Sequence, residues 1–100
     1  MKVEHSHHVD AGEEDAEGNL DWCYEYELYR FSDGPRTVVA RSFTDAADEA
    51  HLLRWEQGDA QLLLAPRDLS EPLVRDALEY LRGLGKVKLR YLGAGGYVAV

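Results

Sequence analysis

The chain has 100 residues, and its composition of 45% apolar and 30% charged side chains is that of an ordinary globular domain. A single cysteine, Cys23, excludes an intrachain disulfide framework, and the best apolar run, residues 62–65, is too short to cross a bilayer as a helix. Net charge is −8, which opposes long-range attraction to nucleic acid or anionic membranes.

The charge is unevenly placed. Residues 1–21 hold seven carboxylates against Lys2 alone, whereas Arg82, Lys86, Lys88 and Arg90 follow the last acidic residue, Glu79. Residues 1–20 contain no aromatic and few large apolar groups, so they cannot offset their ordering entropy by burial. They are expected to form a disordered acidic, His-containing tail, with a single α+β domain over residues 21–100. No apolar stretch follows Lys2 as a secretion signal would require, and a cytoplasmic location is expected.

Residues 22–31 alternate. Trp22, Tyr24, Tyr26 and Leu28 share one face, and Glu25 and Glu27 the other, predicting a half-buried strand with the first set inward. Residues 32–35, Ser-Asp-Gly-Pro, are turn formers, and the β-branched stretch 37–43 predicts the returning strand of a hairpin. Thr44 or Asp45 then caps an expected helix of about a dozen residues. Its stripe is Ala46, Ala50, Leu53 and Gln57, and Gly58 is its stop. Residues 62–65 are expected to form a short buried strand. Leu73, Val74, Ala77, Leu78 and Leu81 recur at helical spacing and predict a second helix ending at Gly83 or Gly85. Residues 86–92 alternate again, with Val87, Leu89 and Tyr91 on one side and Lys86, Lys88 and Arg90 on the other. A glycine turn leads to a last strand over 97–100. The expected architecture is α+β: a mainly antiparallel sheet with two helices on one face, in the order β-β-α-β-α-β-β.

Few residues carry chemistry. His5, His7 and His8 can bind a divalent metal, but no second Cys or His cluster closes a cage, so only adventitious binding is expected. Cys23 and His51 form a nucleophile–base pair only if the fold brings them into hydrogen-bond contact. The glycine turn 93–96 does not lead into a helix and is not a phosphate loop. Lys86, Lys88 and Arg90 make a basic stripe beside Tyr91 and Tyr97. Three roles compete for it: internal pairing with Glu25 and Glu27, cover by the acidic tail, and a single-stranded nucleic acid. Tyr29, Phe31 and Trp55 fall off the expected inward faces and, with Arg41, are candidate contact anchors, since aromatic and Arg side chains dominate interfaces.

The leading expectation is a non-enzymatic module that binds a protein or associates with itself, without catalytic residues, cofactor or membrane. The alternative is a small-ligand protein or enzyme with a pocket between helices and sheet, where Cys23, His51 and Trp55 converge. The third is weak nucleic-acid binding through the basic strand.

Overall fold

A computed structural model describes residues 1–11 and 23–100. One mixed sheet of seven strands forms the body. Strand β1 is Lys2–Ala11, β2 Cys23–Ser32, β3 Arg36–Phe43, β4 Glu49–Gln57, β5 Ala60–Leu62, β6 Lys88–Gly93 and β7 Gly96–Ala99. The spatial order is β1-β2-β3-β4-β6-β7, and β5 pairs with the C-terminal part of β4. All pairings are antiparallel except β4 with β6, whose crossover carries the helix α1, Pro72–Gly83. Parallel neighbours need such a crossover.

The expected second layer of two helices is not formed: α1 is the one α-helix among the described residues, and it covers one face of the sheet. The segment read as the first helix is a 3₁₀ turn, Thr44–Ala46, followed by β4. The cause is a β-bulge. Val39 pairs with Arg54 and Ala40 with Leu52, so Leu53 is an extra residue on β4. The inward residues of β4 are therefore Ala50, Leu52 and Trp55, a spacing that hides the period of two.

Helix α1 buries the expected stripe of Leu73, Val74, Ala77, Leu78 and Leu81. Pro72 sits in its first turn, where a missing N–H costs nothing. Its C-terminus closes in a Schellman arrangement. The Lys86 N–H donates to the Leu81 carbonyl and the Gly85 N–H to that of Arg82, with Gly85 at φ +90°. Beneath the stripe lie Tyr29, Phe31, Val38, Ala40, Leu89 and Tyr91, and Tyr80 leans edge-on over Phe31 at 5.5 Å.

Three further expectations are corrected. In β2 the face toward α1 is the one bearing Glu25, Glu27, Tyr29 and Phe31; Tyr24 is exposed, and Trp22 lies outside the described residues. The helix reaches only Tyr29 and Phe31, so the glutamates share that face without entering the core. Leu62 and Leu63 are exposed on β5 and just after it, and only Leu64 of that run is buried. Lys2–Ala11, part of the expected tail, pairs along its whole length with β2, Lys2 opposite Ser32 and Ala11 opposite Cys23. Backbone pairing and the packing of Val3 on the core supply what its composition lacks. The expectation for residues 12–20 lies outside the described residues.

Candidate functional site

The face of the sheet opposite α1, the open face, gathers the polar and aromatic groups. Register places Arg41 of β3 directly opposite His51 of β4, and His51 opposite Arg90 of β6. Side chains so related stand about 5 Å apart at Cβ. The Arg41 guanidinium lies 4.6 Å from the Phe43 ring centre and donates from Nη2 to Tyr97 Oη at 3.1 Å. Tyr97 in turn packs on the His51 ring at 4.6 Å. An aromatic corner adjoins this row: Tyr24 and Tyr26 contact Phe43, and Tyr26 stacks with His8 and donates to Asp10 at 2.7 Å.

Two polar atoms of the row, Arg41 Nε and His51 Nε2, are shielded from solvent and lack a hydrogen-bond partner. Glu49 Oε1 is 3.7 Å from His51 Nε2, close enough for electrostatic attraction but too far to bond. Burial disfavours the imidazolium of His51 and lowers its pKa, more than Glu49 opposes; Arg41 and Arg90 push the same way as burial. At neutral pH the row is therefore a neutral imidazole between two guanidinium groups.

The other half of the open face is internally paired. Glu56 bonds both Arg30 and Arg54. Val39, opposite Arg30 and Arg54 in register, is fully buried although α1 lies on the other face of the sheet.

The expected site residues separate. Arg41, Lys88 and Arg90 are on the open face. Tyr29 (3% exposed) and Phe31 (0%) belong to the core, because the faces of β2 are the reverse of those expected. Trp55 also faces the core, with Arg36 stacked on it at 5.0 Å. Lys86 precedes β6, is buried, and donates from Nζ to the Ala47 carbonyl at 2.7 Å, so the basic stripe shrinks to Lys88 and Arg90. Val87, expected inward, is 72% exposed. Strands β3 and β4 separate β2 from β6, so Glu25 and Glu27 do not pair with Lys88 or Arg90; Lys88 lies 3.6 Å from Asp48 instead. Strand β1 occupies the opposite edge from β7 and cannot cover the basic end.

Histidine spacing also resolves. Strand alternation sends His5 and His7 to the α1 side and His8 to the open face. His5 Nε2 is 3.2 Å from Glu27 and His7 Nε2 2.8 Å from Glu25. No group of three metal-ligating side chains forms among the described residues. His51 and Trp55 face opposite sides of the sheet, so the expected convergence with Cys23 does not assemble; the Cys23 side chain lies outside the described residues. A cavity of about 300 Å³ opens elsewhere, at the end of β4, lined by Arg36, Trp55, Leu62, Leu63, Arg67 and Asp68.

Tyr24, Tyr26 and Phe43 are open-face groups absent from the expected site, whereas His51 and Tyr97 are named there for other roles. Alternation of Arg41 with Phe43 was a usable signal, but their neighbours depend on strand order. The fold defines a class, a mixed sheet closed on one face by the one α-helix of the described residues. No helix of the described residues is long and apolar enough to cross a membrane. No family model, curated protein or solved structure matches the chain.

Proposed function

We propose that this chain is a non-enzymatic protein-binding domain whose contact surface is the open face, anchored on Arg41. The observation that carries the reading is the row Arg41–His51–Arg90. It is flanked by Phe43 and Tyr97 on the face opposite α1, which no other helix or strand among the described residues covers, and two of its shielded nitrogens lack partners among those residues. No carboxylate of the described residues neutralises Arg41 or Arg90, and a carboxylate approaching the outer ends of the two guanidinium groups would pair with both. Aromatic rings beside Arg add contact area at small entropy cost. The partner fitted to this face carries carboxylates among apolar side chains.

Site-specific photocrosslinking tests the reading. A photoreactive residue replacing Tyr24 on the open face is expected to give a discrete adduct that Arg41→Ala reduces at least tenfold while the fold is retained. Equal adducts from a probe at Glu79, on the exposed side of α1, would refute it.

The cavity beside Trp55 favours a second reading, a small-ligand site, because Arg36 and Arg67 flank an aromatic ring there. Its volume is at the lower limit of about 300 Å³ for such sites. Trp55 emission unchanged across a library of small anions, measured against Trp55→Phe to isolate its signal, would remove it.

A further inference from the structure

The two edges of the sheet differ in kind. Strand β7 spans four residues and β5 three, whereas β1 offers ten residues of edge backbone without a proline. Long edges invite strand addition, and proteins ordinarily blunt them with charge. Strand β1 does carry charges, but their order is self-complementary.

We infer that β1 is a homodimerisation edge, pairing antiparallel with β1 of a second copy about a two-fold axis at Ser6. Antiparallel pairing across a two-fold keeps directly opposed residues on one face, so only registers centred on a residue are allowed. Centring on Ser6 sets Lys2 opposite Asp10 of the second copy and Glu4 opposite its His8, both on the open face. On the other face Val3 meets Val9, which is 58% exposed in the single chain. Centring on His7 instead sets Glu4 against Asp10, two carboxylates. Centring on His5 sets Lys2 against His8, with no carboxylate to pair. Of these three registers, only the one centred on Ser6 sets Lys2 against a carboxylate, keeps carboxylates apart and meets apolar with apolar; Glu4 there faces an imidazole, and His5 faces His7 of the second copy.

Two exposed contacts within β1 would be exchanged for those across the axis, Lys2 Nζ with Glu4 at 3.1 Å and Ser6 Oγ with His8 Nε2 at 2.8 Å; the contacts with β2 stay in place. His5 and His7 keep their Glu27 and Glu25 partners, and Asp10 keeps its Tyr26 bond, because these lie on the side of β2. The axis runs normal to the sheet. Both open faces then lie on one side of the dimer and both helices on the other, a bivalent platform. The inference rests on the edge strand and not on the open-face reading.

Sedimentation equilibrium of the full chain at low salt tests it. The native chain is expected to dimerise, and Lys2→Glu or Asp10→Lys to raise the dissociation constant at least fivefold, since each places two like-charged pairs across the axis. The double variant K2E/D10K is expected to recover most of the affinity, which a misfolded edge would not. Spin labels on Ser6→Cys in a Cys23→Ser background report the axis directly as a short distance between copies. A chain monomeric at millimolar concentration, a dimer indifferent to both charge reversals, or distant labels would overturn the inference. A dimer broken by Arg41→Ala but not by K2E would overturn edge pairing and leave the open-face reading standing.

Discussion

Phe31 and Val38 are fully buried beneath α1, and Val39, on the opposite side of the same strand as Val38, is buried just as completely with no helix of the described residues above it. On the first side the cover is a layer of apolar side chains from α1. On the second, the described cross-strand neighbours are Arg30 and Arg54, in register on either side of Val39 and tied together by Glu56, with the buried bulge residue Leu53 next to Arg54. Long charged side chains can shield apolar surface with their stems while their heads stay wet. The comparison teaches that one half of the open face is closed by its own ion pairs. The half around Arg41 and His51 is left with unpartnered nitrogens.

The sharpest break between the two sides is energetic. Phe31→Ala should cost about 3–5 kcal/mol by urea unfolding, because it leaves a cavity under α1. A cost below that of Val39→Ala would show that the open face, and not the helix side, holds the main core.

Tyr29 gives a pH test of the covered side. Burial first, then its hydrogen bond to the Glu27 carboxylate at 2.8 Å, raises the phenol pKa to about 12. A pKa raised on folding means that the folded state favours the protonated form. The stabilisation is thus complete below pH 10 and lost as pH rises from 10 to about 12. The loss is roughly 3 kcal/mol, and Tyr29→Phe should remove this alkaline decline in thermal melts. The same bond holds the Glu27 carboxyl below its usual pKa. That contribution is present above the unfolded value of 4.5 and is lost as pH falls through the lower folded value.

Glu56→Ala should cost about 1–2 kcal/mol, since it leaves Arg30 and Arg54 half-buried without their acceptor. If the cost vanishes in high salt, the ion pairs act only by charge and not as a cover for Val39. Gly85→Ala should cost about 1 kcal/mol. The Cβ meets no atom within 4 Å, so the penalty is purely that of φ +90°. Smallest of all, Arg41→Ala should change stability by under about 0.5 kcal/mol while abolishing partner capture. A large loss of stability would make Arg41 a structural residue and weaken the open-face reading. His51 adds an acid arm. With its folded pKa below the unfolded 6.5, stability is retained above 6.5 and declines as pH falls from there through the folded value.

Helix α1 and two of the three tight hairpins, β2–β3 and β6–β7, are legible from local signals; the third, β4–β5 across Gly58, reads as a helix stop. Five apolar residues at helical spacing, Pro72 at the start and Gly85 at the end agree with one another without reference to any other segment. The turns at Gly34 and Gly96, at φ +109° and +111°, are equally local. Arg41 could be named from sequence as a surface anchor, but its setting could not, because Phe43, His51 and Tyr97 come from three strands.

Tertiary structure alone decided the rest. Strand β4 imitates an amphipathic helix because the bulge at Leu53 spaces its inward residues by two and then three. In β2 both alternating sets contain rings, so local polarity could not say which would be covered; that depended on how far α1 reaches along the strand. Strand β1 has too little apolar surface to hold itself in place, and its order comes from hydrogen bonds lent by β2. A residue's own chemistry sets the conformations it tolerates, whereas the side of a sheet it occupies is set by whichever neighbour removes the most apolar area from water.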